Sequence, residues 1–152
     1  GENGIESNAL SSSNADVLHV SPYRSFPSGI TASASKKHEY IRWAGRYGRY
    51  IIEDDFESEF SVSRKPEDTM FELSEHDNVI YMNTFSKTIS GSLRVGYMVL
   101  PKRLVQKFDM DLGFYSCTVP TVEQILIAEL IRNGDFERHI NRVRRRKRRD
   151  GE

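Results

Sequence analysis

Apolar and polar positions along the chain follow two different periods. Four short apolar runs read as strands: "DVLHV" (Asp16 to Val20), "YIIE" (Tyr50 to Glu53), "NVIYM" (Asn78 to Met82) and "VGYMVL" (Val95 to Leu100). The first is nearly continuous, as a buried parallel strand requires. Between the strands the period lengthens. From Ser35 to Tyr47 the apolar residues Tyr40, Ile41, Trp43, Ala44 and Tyr47 share one side, with Ser33 or Ser35 placed to cap a helix and Gly48 to end it. "PKRLVQKFD" predicts a helix with proline at its first position. "PTVEQILIAELIRNG" is the clearest helix, apolar at Val122, Ile125, Leu126, Ile127, Leu130 and Ile131 and stopped by Gly134; "DFERHINRVRRRKRRD" continues as a basic helix. A weaker helical segment runs from Glu6 to Ser12, "SPYRSFPSG" is a loop, and residues 57–77 are polar, contain Pro66 and read as a long functional loop. Strands alternating with helices predict an α/β sheet with helices on its faces.

Composition narrows the class. The chain has 152 residues, about one domain, and eight Phe, one Trp and seven Tyr can fill a core. Charge is balanced, 22 basic against 22 acidic residues, so no global field favours nucleic acid or anionic lipid. A single cysteine, Cys117, excludes an intrachain disulfide and is expected to be a buried small apolar residue in a reducing compartment. No apolar segment is long enough to span a membrane, and the reading is a soluble, cytoplasmic chain. Charge is uneven locally. "EDDFESE" (Glu53 to Glu59) is acidic and Arg142 to Arg149 is basic; with no aromatic interleaving, the basic run reads as a solvated helix face.

Candidate chemistry gathers where the strands end. In an open α/β sheet, ligands bind beyond the carboxyl ends of the strands. The Ser21–Gly29 loop, Asp54 and the segment Thr84 to Lys87 all lie there. A lysine at such a mouth is expected to be partly desolvated, which favours the neutral amine that attacks carbonyls. Thr84, Ser86, Ser90, Ser92 and the amides around Gly91 are neutral donors, and Arg94 is a cationic fork; together they suit a phosphate. Asp54 could face a protonated ring nitrogen. Aldehyde, phosphate and pyridinium on one ligand describe pyridoxal phosphate. On spacing alone, a lysine among Ser and Thr also fits a solvated turn. Asp54 and Asp55 also fit a metal pair or a plain strand end, although the histidines at 19, 38, 76 and 139 are scattered.

Taken together, "HVSPYRSFPSG", "YIIEDDFESEF", "VIYMNTFSKT" and "LRVGYMVLP" resemble the aminotransferase-like domain of MocR-type transcription regulators of the GntR class. The "ENGI" and "FERHI" segments are also similar. The resemblance implies part of a fold-type I pyridoxal-phosphate large domain over residues 1–152, with a mostly parallel sheet. It implies that Lys87 is the internal-aldimine lysine and that Asp54 is the partner of the pyridine nitrogen. Thr84 and Arg94 then hold the phosphate, with Ser86 nearby. The implied function is sensing of pyridoxal phosphate or a small amino compound. The parent would bind DNA through a winged-helix domain, and homodimers are possible. That domain, the first half of the large domain and the C-terminal small domain are expected to lie outside this sequence.

The chain also departs from the pattern. Phe56 stands where the family usually has a tyrosine that hydrogen-bonds the ring hydroxyl, on the face of Asp54 by strand alternation. "SPYRS" replaces the common "TPSHQ", Gly91-Ser92 replaces Pro-Gly, and Phe26 takes the place of the asparagine of true aminotransferases, as is normal for the MocR group. A true aminotransferase and a non-binding remnant or interaction module remain as alternatives, Phe56 arguing against the first.

Overall fold

The computed structural model describes residues 1–25, 27–56, 58 and 68–150. Its centre is a four-stranded sheet in the order β1-β2-β3-β4, with β1 at Val17–Val20, β2 at Tyr50–Asp55, β3 at Val79–Thr84 and β4 at Gly96–Val99. β1, β2 and β3 are parallel, and β4 returns antiparallel along β3. The expected mostly parallel α/β sheet is therefore present. β2 runs two residues further than its apolar run suggested, so Asp54 and Asp55 are inside the strand and point to opposite faces.

One face of the sheet is packed. Ile51 and Val79 on that face meet α2 (Ala34–Arg46) through Tyr40, Ile41, Trp43 and Ala44, with Leu10 of α1 (Ser7–Ser12) and Met70 of α3 (Met70–Leu73) completing the core. α2 starts where its cap was expected. The Ser33 side chain accepts from the Lys36 amide at 3.3 Å, and Gly48, at φ +64, takes the left-handed position after the last turn that an L side chain resists. Lys37 is buried on the inner side of this helix, its Nζ 4.2 Å from the Tyr23 ring centroid, where the apolar pattern had no place for a charge. α3 lies inside the stretch read as one long loop. Residues 57 and 59–67 of that stretch, like Phe26, lie outside the described residues.

The other face carries His19 of β1, Ile52 and Asp54 of β2, and Met82 and Thr84 of β3, none of them fully buried. β1 is thus not the buried strand expected from its composition, because Val17 and His19 are exposed on this open face. A second, smaller cluster of Leu93, Val95 and Ile127 joins the end of the sheet to α6 (Thr121–Arg132), with Phe85 and Val119 against it. α5 (Lys102–Leu112) has no buried residue, and Asp77, in the turn before β3, accepts from its first amides, Lys102 N–H at 3.0 Å and Arg103 N–H at 3.2 Å. The apolar stripe expected to bury α6 does not do so. Val122, Ile125, Leu126 and Ile131 are exposed, and Ile127 is the buried residue of the helix. α7 (Asp135–Asp150) buries Ile140; Arg142, Arg145, Arg146, Arg148 and Arg149 are exposed, as a solvated basic face should be. Cys117 is exposed rather than buried, in the connection between α5 and α6. Among the described residues, no helix is long and apolar enough to cross a membrane.

Candidate functional site

The three acidic residues that end β2 have two different surroundings, and strand alternation separates them. Glu53 and Asp55 point beneath the sheet and are fully buried. Glu53 accepts from the Met70 and Phe71 amides, each at 2.9 Å, and from the Tyr23 hydroxyl at 3.0 Å, so it caps the first turn of α3. Burial nevertheless outweighs these bonds and holds its carboxyl above the usual range. Asp55 accepts from the Ser58 amide at 2.9 Å, the Ser58 hydroxyl and the Tyr81 hydroxyl at 2.7 Å, while Tyr81 accepts from Asn83 Nδ2 at 2.8 Å. Burial first, and the neighbouring carboxylates next, push the Tyr23 phenol far up; for Tyr81, burial and Asp55 do the same.

Asp54 points the other way. Its side chain is 36% exposed, and its Oδ2 lies 3.4 Å from His19 Nε2. It is the carboxylate of this trio that the open face offers to a ligand.

The next strand ends in a tight turn. α4 (Phe85–Thr88) follows β3 directly, and its N-cap is Thr84, whose Oγ1 accepts from the Ser86 amide at 3.2 Å and donates to the Val95 carbonyl at 3.1 Å. Ser86 Oγ donates to the Leu93 carbonyl at 2.7 Å and accepts from Arg94 Nη1 at 3.3 Å. Thr84, Ser86 and Arg94 therefore form one bonded unit that ties α4 to the start of β4. Ser90 and Ser92 pair with each other through their hydroxyls at 2.8 Å, on the exposed outer side of the turn. Arg94 has further N–H donors beyond the one that meets Ser86, so the unit can still hold an oxyanion.

Lys87 sits in α4 and connects the two strand ends. Its Nζ lies 4.4 Å from the centroid of the Phe56 ring, two residues beyond Asp54. Lys87 is exposed, so the desolvation expected at the mouth of the sheet is not realised among the described residues. The structure thus brings Asp54, Lys87, Thr84, Ser86 and Arg94 to one end of the sheet. The first and last of these are linked through Phe56, Lys87 and the α4 turn. Asp54 and Asp55 point to opposite faces of β2, and no cluster of three or more metal-ligating side chains occurs among the described residues. Sequence reasoning missed His19, whose signal was only its place three residues before Pro22 in a strand parallel to that of Asp54.

Comparison with known proteins gives the family and the fold. The family described as aminotransferase class I and II matches residues 6–150. The HTH-type transcriptional regulator YdeL of Bacillus subtilis is 35% identical over 144 residues, which are 95% of this chain and 31% of the regulator. The probable rhizopine catabolism regulatory protein MocR of Rhizobium meliloti is 30% identical over 129 residues, 85% of this chain and 26% of that protein. Among solved structures, kynurenine aminotransferase of Pyrococcus horikoshii, in complex with PMP, superposes with a TM-score of 0.80 at 25% identity, covering 99% of this chain and 40% of that enzyme. The chain spans about a third of the length of the curated relatives it matches.

Proposed function

We propose, from the fact that this chain belongs to the aminotransferase class I and II family, that it carries the lysine, the ring-nitrogen carboxylate and part of the phosphate grip of a pyridoxal-phosphate site. The longer protein is a MocR-type regulator, in which this domain senses pyridoxal phosphate or a small amino compound. Its DNA-binding winged-helix domain, the first half of the large domain and the small domain lie outside these residues, and the regulator pairs as a homodimer. One observation carries the reading: of three consecutive acidic residues, two are consumed beneath the sheet, while Asp54 is presented on the open face, two residues before the Phe56 ring on which Lys87 rests.

The residues present fit the cofactor's two charged ends. When bound, pyridoxal phosphate supplies an aldehyde for primary amines and a ring that withdraws electrons once its nitrogen is protonated. Asp54, on the open face, would offer its carboxylate to that nitrogen. Lys87 presents its primary amine from a capped turn, with its Nζ 4.4 Å from the centroid of the Phe56 ring. Thr84, Ser86 and Arg94 hold the phosphate through a guanidinium and an already ordered turn, which lowers the entropy lost on binding. Phe56 has no hydroxyl to offer the ring, and this favours capture and sensing over turnover. A second reading, a transaminating enzyme, is favoured by the likeness to kynurenine aminotransferase.

The test is to mix the purified chain with pyridoxal phosphate, reduce with borohydride and locate the pyridoxyl group by mass spectrometry. The reading expects an adduct at Lys87 that disappears in Lys87→Ala. Labelling scattered over surface lysines and unchanged in that variant would instead mark a non-binding remnant. Release of a keto acid from an amino acid by the longer protein would favour the enzyme.

A further inference from the structure

Asp54 is the carboxylate this site depends on, and a half-exposed aspartate at a strand end is free to rotate unless something holds it. Its neighbours on the buried face show what holding requires: Glu53 has donors on both oxygens, and Asp55 has three donors. On the open face the partner is His19. The register sets His19 opposite Ile52, so its ring lies diagonally before Asp54 on the same face, with Nε2 at 3.4 Å from Oδ2. Both side chains remain accessible, His19 at 61% and Asp54 at 36%.

His19 also lines a cavity of about 470 Å3 with Ser21, Ser25, Ser28, Tyr40 and the N-terminal Gly1, and among the described residues that line this cavity beside the ring, none is an acid. The Tyr40 hydroxyl there is engaged by the Ile5 amide at 2.9 Å. We propose that His19 is a positioning residue for Asp54: its Nε2–H donates to Oδ2, fixes the carboxylate plane and leaves the second oxygen for the ring nitrogen of the cofactor. The proposal rests on the reading of Asp54 given above. His19 itself touches neither the aldehyde nor the phosphate grip, so its effect is confined to one end of the ligand.

The experiment compares the wild-type chain with His19→Ala, His19→Gln and Asp54→Ala. In the cofactor-free chain, labelled with 15N-histidine at about pH 8, where an ordinary imidazole is neutral, the His19 Nε2 resonance shifts in Asp54→Ala while those of His38, His76 and His139 stay. With pyridoxal phosphate as the probe, His19→Ala raises the concentration needed for half-labelling of Lys87 about fivefold, the loss of one modest hydrogen bond. It also moves the 15N resonance of the labelled pyridine nitrogen towards the unprotonated ring. His19→Gln, which keeps an N–H near the place of Nε2, restores both. An unchanged His19 resonance in Asp54→Ala, or a pyridine resonance identical in wild type and His19→Ala, overturns the proposal while leaving the Lys87 adduct and the functional reading intact. Absence of a selective Lys87 adduct in the wild-type chain overturns that reading, and this proposal with it.

Discussion

The two faces of β2 use the same chemistry for opposite ends. Below the sheet, Glu53 and Asp55 are buried with three donors each; Glu53 fastens α3 and Tyr23, and Asp55 fastens Ser58 and Tyr81. Above it, Asp54 is half-exposed and meets one imidazole at the long end of the hydrogen-bond range. A buried carboxylate with both oxygens engaged by its own protein contributes to folding and is not offered to a ligand. One that is left open contributes little to folding and is available for binding. Position along the strand, one residue at a time, decides which it becomes.

Removing the buried acid should do the greatest damage. Glu53→Ala strands the Met70 and Phe71 amides and opens a cavity, and a loss of about 3 kcal/mol is expected in urea unfolding. The pH dependence sharpens the same point. Because the folded carboxyl of Glu53 is held up by burial, its contribution is complete below the ordinary carboxylate pKa and is lost as pH rises through the raised value. Wild type should therefore lose ground to Glu53→Gln as pH rises from acid towards neutral. A constant difference between the two would contradict the burial argument.

The open face should respond in the opposite sense. Asp54→Asn is expected to stay within about 0.5 kcal/mol of wild type in the same unfolding assay, while labelling of Lys87 by pyridoxal phosphate weakens about tenfold, since a neutral amide no longer favours a protonated ring nitrogen. Equal loss of stability at Asp54 and Glu53 would erase the distinction between the faces. Tyr81→Phe removes one donor from Asp55 and one acceptor from Asn83, and about 1 kcal/mol of stability should go with them. The phenols of Tyr23 and Tyr81 are both raised, so their contribution holds below about pH 10 and fails as pH climbs above it. The wild-type chain should unfold in alkali, and Tyr81→Phe should show a shallower decline. The smallest change is Phe56→Tyr, which keeps the ring beside Lys87 and leaves stability unaltered to within a few tenths of a kcal/mol. Its effect should appear in the absorption spectrum of the captured cofactor, and an unchanged spectrum would show that residue 56 does not reach the ring hydroxyl.

Much of the frame was legible because local rules governed it. Ser33 capped α2 and Gly48 closed it, since both act through the backbone within one turn. The four strands followed their apolar runs, and Asp54 and Lys87 fell at neighbouring strand ends because parallel strands connected through helices share a carboxyl edge. Burial was less legible. "DVLHV" and the stripe of α6 look as apolar as any core segment, yet Val17, Val122 and Ile125 are exposed, because burial depends on what packs against a face and not on the face alone. Cys117 failed for the same reason, and α3 was hidden because a four-residue helix capped from a distant strand has no period of its own.

By itself, then, the sequence determined the α/β class, the order of the strands and longer helices, the family resemblance and a set of candidate site residues. These depend on periodicity, capping and short motifs, all of which are encoded within a few residues. Only the tertiary structure decided that Glu53 and Asp55 are buried while Asp54 faces the open side, that Lys87 rests on Phe56, and that His19 meets Asp54 across two strands. These depend on contacts between separate segments, from 17 residues apart for Met70 and Glu53 to 35 for His19 and Asp54. A hydrogen bond of a few ångströms is set by how such segments meet, and no local pattern specifies it.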